Sequence, residues 1–140
     1  MEYISNSCEE TIEIAKEFSR KLSAGDIILL TGDLGSGKSV FARAVIQEFG
    51  IKQHITSPTF TIVNEYVNEN CKFYHFDMYR LEDSSEALAI GADEMLADQQ
   101  AIKLVEWPEN VADIIPNDTI KVSITKLGDN ERKIIIEGER

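Results

Sequence analysis

No stretch of this sequence is apolar for anything near the roughly 18 residues that a membrane-spanning helix needs. Its opening residues, Met1-Glu2-Tyr3-Ile4-Ser5, have neither the basic nor the apolar segment of an export signal. A membrane partner and a secretory route are therefore not expected, and the chain reads as cytoplasmic. Cysteine is scarce. Cys8 and Cys71 make no metal-spaced pair, and in an unexported chain both thiols are expected to be reduced. Positive charge is also in short supply, with 14 Lys and Arg against 25 Asp and Glu and a formal charge of −11. Such a surface repels phosphate backbones, whose binding rests on Lys and Arg, so any service to a nucleic acid is expected to run through another protein. Internal repeats, linkers and low-complexity segments are missing too. With 43% hydrophobic and 28% charged residues the chain falls among folded globular proteins. Residues 1–140 are expected to form a single domain that buries about two-thirds of the surface its unfolded form exposes.

What is present is concentrated in residues 32–39, Gly-Asp-Leu-Gly-Ser-Gly-Lys-Ser, a complete Gly-x-x-x-x-Gly-Lys-Ser/Thr loop. Gly32, Gly35 and Gly37 permit backbone conformations closed to other residues, so the amides of Asp33, Leu34 and Ser36 can turn inward around a phosphate. Lys38 supplies a point charge for β- and γ-phosphates, and the Ser39 hydroxyl can ligate Mg²⁺. The flanks decide against an ordinary glycine turn with a solvated lysine. The apolar run Ile27–Thr31 has strand length, and Phe41, Ala44, Val45, Glu48 and Phe49 recur at helical spacing before Gly50. A helix opening on the loop adds its dipole to the anion site. The ligand class is a nucleoside triphosphate. The Asn-Lys-x-Asp element of guanine readers is missing, and Thr125-Lys126-Leu127-Gly128-Asp129 has one residue too many, so ATP is expected with Mg²⁺.

The remaining pattern alternates strands and helices. Ser7 and Glu10 form a capping box for a helix to about Ser23, with Gly25 at its end. A loop, Thr56-Ser57-Pro58-Thr59-Phe60-Thr61, leads into a strand at Ile62–Tyr66. Further strands are expected at Lys72–Phe76 and Ile102–Val105, broken by Trp107-Pro108, with a helix at Asp83–Ile90 and one turn at Asp93–Ala97 between them. Thr119–Thr125 and Lys133–Glu137 form a C-terminal antiparallel hairpin around Gly128. The fold class is α/β, a single P-loop NTPase-like domain with a central mixed β-sheet flanked by helices.

In such sheets the chemistry gathers at the carboxyl ends of the strands. Two acids stand there, Asp77 and Glu106. Either could serve the metal while the other handles water, although a strand-end acid can equally cap a turn. Thr59 and Thr61 occupy the place of a switch loop that senses the γ-phosphate, or of a polar loop pinned by Pro58. His75 shares a strand face with Asp77 and reads as structural. Arg80 could reach a phosphate or a carboxylate, and Trp107 reads as packing. A small-molecule kinase and a non-catalytic nucleotide switch use the same loop. Against the kinase, only five arginines are present, spread over Arg20, Arg43, Arg80, Arg132 and Arg140.

Taken together, GDLGSGKS, SPTFTIVNEY, YHFDMYRL and VEWPE, in this order, resemble the TsaE family of small bacterial ATPases. The similarity runs from the Thr11 helix to the strand after Arg132. It implies ATP-dependent support of N6-threonylcarbamoyladenosine formation in tRNA, in concert with the TsaD and TsaB proteins, with tRNA reached only through that complex. By position it implies phosphate contacts from Leu34 to Ser39 and Mg²⁺ between Ser39 and Glu106. It further makes Thr59 the switch threonine and Asp77 an acid needed for hydrolysis. Adenine would lie near Ser7, Cys8 and Thr11, with Arg132 closing from the hairpin. Ser39 stands where many members have Thr, and Met78 where many have Leu. Both are mild changes, since Ser keeps the hydroxyl and Met the apolar bulk.

Overall fold

Strands buried on both faces need continuous apolar sequence, and the Ile27–Thr31 run is of that kind. In the computed structural model, which describes residues 1–138, it lies in a seven-stranded sheet. Arg140 lies outside the described residues. Along the chain come strand β1 (Glu2–Ser5), helix α1 (Cys8–Ser19), β2 (Ile27–Thr31), α2 (Lys38–Glu48), β3 (Val63–Val67) and β4 (Lys72–Asp77). Then follow the short helices α3 (Ser85–Ala89) and α4 (Ala92–Leu96), β5 (Ala101–Glu106), a 3₁₀ segment (Pro108–Ile114), β6 (Ile120–Lys126) and β7 (Arg132–Glu137). The strand order is β1-β7-β6-β2-β5-β4-β3. The four central strands β6, β2, β5 and β4 are parallel, while β3, β7 and β1 join antiparallel at the edges. The sheet is mixed and the C-terminal hairpin antiparallel, as the sequence predicts.

The two faces follow from strand alternation. Ile28, Leu30, Phe73, Ile102, Leu104 and Val122 pack under α1 and α2, against Phe18, Phe41, Val45 and Ile46. Ile27, Leu29, Phe76 and Val105 face the other way, toward α3, α4 and Val111 of the 3₁₀ segment. Because β2, β4 and β5 are parallel and in register, their carboxyl ends come out together. There Leu30 lies opposite Glu106 and Asp77 opposite Glu106.

Several boundaries differ from expectation. Helix α1 stops at Ser19, and its last turns tighten, with Lys21 and Leu22 amides bonding the Phe18 and Ser19 carbonyls. Gly25 therefore does not cap it. At φ +96° Gly25 serves a close approach, since an added Cβ would sit 2.9 Å from the Gln99 side chain. The capping box forms in modified shape. Ser7 Oγ accepts from the Glu10 amide, while the Glu10 carboxylate accepts from Asn6, one residue before the cap. Strand β3 begins at Val63, because Ile62 takes φ +72°. The expected Asp83–Ile90 helix shortens to five residues. Strand β1 and the 3₁₀ segment were not foreseen.

Candidate functional site

The loop between β2 and α2 is built as its glycines dictate. Gly32 lies at φ +153°, and a Cβ there would fall 2.5 Å from the Ile124 carbonyl and 2.7 Å from Ser36 Oγ. The loop thus presses against β6 at a point that admits no side chain. Gly37, at φ +105°, is the N-cap of α2 and has no side chain to offer, so the first-turn amides of an eleven-residue helix receive no side-chain cap. Lys38 begins the helix. Its Nζ donates to the Gly32 carbonyl at 2.5 Å and stands 3.8 Å from the centre of the Trp107 ring. Burial pushes its pKa below the ordinary lysine value, and the carboxylates of Glu106, Asp77, Glu109 and Asp33 pull the other way.

Asp77 and Glu106 end adjacent parallel strands and are nearly buried, at 7% and 5% exposure. Their surroundings separate them. Asp77 Oδ1 accepts from the Tyr79 amide and closes the turn after β4, while Oδ2 accepts from the Thr59 hydroxyl at 3.0 Å. Glu106 Oε2 lies 2.6 Å from His75 Nε2. Glu106 and His75 line a cavity of about 40 Å³ with Ser39, Arg43, Thr56 and Ser57. The structure therefore brings Glu106, and not Asp77, to the wall shared with Ser39. Thr59 is held on Asp77 and does not line that cavity. Thr61 bonds Asn64 at the surface, as a polar loop residue does.

Arg80 pairs with no carboxylate among the described residues. Its guanidinium donates to the Thr59 and Phe60 carbonyls at 2.7 and 2.8 Å, clamping the loop to the end of β4. Two non-glycine residues with positive φ flank the site, Ile62 beside this loop and Trp107 directly after Glu106. Such backbone costs on the order of 1–3 kcal/mol and concentrates at functional sites.

Ser7, Cys8, Thr11 and Arg132 do come together. They line a cavity of about 120 Å³ with Gly37, Val40, Asp129 and Asn130. Arg132 Nε donates to the Ser36 carbonyl and Nη1 to the Gly128 and Glu131 carbonyls, so it braces the hairpin turn against the phosphate loop. A larger groove of about 520 Å³ lies between the opposite sheet face and the 3₁₀ segment, and contains none of the expected site residues.

The chain as a whole also has similar known proteins. A model of the family described as "Threonylcarbamoyl adenosine biosynthesis protein TsaE" matches residues 5–134. The chain belongs to the TsaE family. Among its relatives, the tRNA threonylcarbamoyladenosine biosynthesis protein TsaE of Bacillus subtilis (strain 168) is 40% identical over 126 residues, 90% of this chain and 78% of that protein. The protein of the same name from Rickettsia typhi is 38% identical over 135 residues, covering 96% of this chain and 92% of that one. The crystal structure of Bacillus subtilis YdiB superposes with a TM-score of 0.81 at 32% identity, over 96% of this chain and 82% of that chain.

Two residues beside the site make contacts that the sequence does not reveal. Trp107 packs against Tyr79 with ring centres 5.0 Å apart and planes tilted by 51°, and its face lies under Lys38. His75 is buried against Glu106. Its shared strand face with Asp77 was the available signal, but the partner came from a different strand.

Proposed function

We propose that this chain is a Mg²⁺-dependent ATPase of tRNA N6-threonylcarbamoyladenosine formation, and that its nucleotide cycle acts on the TsaD–TsaB complex. One observation carries the reading: an α2 N-terminus without a side-chain cap inside a glycine loop, with Lys38 beside the register-paired acids Asp77 and Glu106. A triphosphate suits that arrangement. The first-turn amides donate to phosphate oxygens, the helix dipole favours their charge, and Lys38 turns its Nζ from the Gly32 carbonyl to the β- and γ-phosphates. The adenosine end extends toward Ser7, Cys8, Thr11 and Arg132.

The Ser39 hydroxyl and Glu106 carboxylate are hard oxygen donors of the kind Mg²⁺ takes. Among the described residues no three His, Cys, Asp or Glu side chains converge as a protein-made metal cage. When bound, Mg²⁺ neutralises charge on the β- and γ-phosphates. Asp77 orients the attacking water once Thr59 leaves its Oδ2, so loop movement and hydrolysis are coupled through one hydrogen bond. The relatives' names point to threonylcarbamoyladenosine biosynthesis, and the charge of −11 suits a protein that reaches tRNA only through its partners. Among the described residues no helix is long and apolar enough to cross a membrane.

The test is multiple-turnover tRNA modification by TsaD–TsaB with and without this chain. Wild-type protein should sustain turnover and Thr59→Ala should bind ATP but stall it. Normal turnover with the variant would rule out the loop-coupled mechanism.

A further inference from the structure

We propose that His75 is a positioning residue for Glu106: its imidazole fixes the carboxylate in the rotamer that serves a metal ion beside Ser39. The inference rests on the reading of Glu106 as the metal-side acid. Parallel register places His75 opposite Leu104 and Asp77 opposite Glu106, so His75 sits one diagonal step from Glu106 on the same sheet face. Both side chains are nearly buried, at 4% and 7% exposure, and Nε2 lies 2.6 Å from Oε2. A carboxylate accepts and does not donate, so Nε2 carries the proton and engages one of the two oxygens. That leaves the other oxygen of a side chain that lines one cavity with Ser39.

The second observation concerns the far side of the ring. His75 Nδ1 is buried and has no hydrogen-bond partner among the described residues. A histidine kept only for packing or for its own satisfaction would have both nitrogens bonded or an apolar ring in its place, because an unpaired buried nitrogen is costly. Here the bond to Glu106 is retained despite that cost. Carboxylates that bind metals are themselves held by hydrogen bonds, and losing such a partner typically weakens metal binding 10–100-fold.

The test measures metal affinity and needs no turnover. Mn²⁺ is titrated by electron paramagnetic resonance into protein saturated with ADP, and ADP affinity is measured separately in EDTA. An Asn amide at this position cannot reach Glu106, whereas the longer Gln amide stands where Nε2 stood. His75→Asn should weaken Mn²⁺ binding about 10–100-fold while EDTA-state ADP affinity stays within about twofold. His75→Gln should restore Mn²⁺ affinity to within a few-fold of wild type. In a Glu106→Gln background, His75→Asn should have no further effect. Equal Mn²⁺ affinity in wild type and His75→Asn overturns the proposal. Equal losses in the Asn and Gln variants, a parallel loss of metal-free ADP binding, or an undiminished effect in the Glu106→Gln background do so as well. Wild-type protein whose ADP complex binds no Mn²⁺ removes the underlying reading of Glu106, and the proposal with it.

Discussion

Lys38 is held on two sides. Its charge sits between the Gly32 carbonyl and the Trp107 ring, partly desolvated, with four carboxylates supporting the ammonium form. Delivering that charge to a phosphate exchanges these contacts for stronger charge-assisted hydrogen bonds. Lys38→Ala should therefore weaken ATP binding by about 1.5–3 kcal/mol, read by titration with a fluorescent ATP analogue; unchanged affinity would contradict the phosphate-loop assignment. Trp107 is the only tryptophan, so intrinsic fluorescence reports the same event directly. Emission should change as nucleotide draws the ammonium off the ring, and the change should shrink in Lys38→Met. The two acids divide by their neighbours. Asp77→Asn and Glu106→Gln should both bind ATP and turn it over slowly, but only Glu106→Gln should lose Mg²⁺ dependence, because Glu106 alone shares a cavity with Ser39. Equal loss in both variants, followed by Mg²⁺ titration of nucleotide binding, would contradict this division of roles. Normal hydrolysis in both would favour a switch without catalysis.

At the scale of elements, the segment from Thr56 to Ile62 is tied down from below and strained at its end. Arg80 grips two of its carbonyls, Asp77 holds the Thr59 hydroxyl, and Ile62 carries φ +72° where β3 begins. Arg80→Ala should speed amide exchange across residues 58–62 while leaving exchange in β4 and β5 unchanged, because the lost bonds lie at the exposed surface. Unaltered exchange in the loop would show that the remaining contacts suffice. The phosphate loop and its flanking elements were legible because strand, glycines, lysine and helix are contiguous in sequence. The strand-end acids were legible because an apolar run stops on each. Contacts fixed by register and topology were not. His75 meets Glu106 across 31 residues, and Arg132 meets Ser36 across 96. Strand β1 is not legible because four residues, with polar Ser5 buried and apolar Ile4 exposed, carry no hydrophobic alternation and their partner β7 lies at the other end of the chain. The end of α1 was misread because Gly25 resembles a helix stop, while its geometry answers to Gln99.

Across the whole molecule, charge is spent unevenly. The surface is acidic, yet Lys103 is fully buried in the central strand β5, its ammonium donating to the Gly25 and Asp98 carbonyls. Burial pushes its pKa below the ordinary 10.5, against the pull of Asp98 and Asp26. Between its folded value and 10.5 the unfolded chain holds more protons than the native one, so this group's contribution to stability rises with pH through that window. Urea unfolding of wild type and Lys103→Met should show the difference shifting in favour of wild type as pH climbs toward 10.5; a pH-independent difference would contradict it. The surplus of acid elsewhere bears on partners. A protein of this charge has little electrostatic grip on tRNA, so under the proposed function its ATP cycle would be felt through proteins. The most direct measurement is the rate of phosphate release from ATP by this chain alone and with added TsaD–TsaB pair, with Glu106→Gln as control. The account predicts slow Mg²⁺-dependent release by the chain alone, a faster rate with the pair, and loss of both in the variant. No phosphate release under either condition, or a rate indifferent to Glu106, would contradict it.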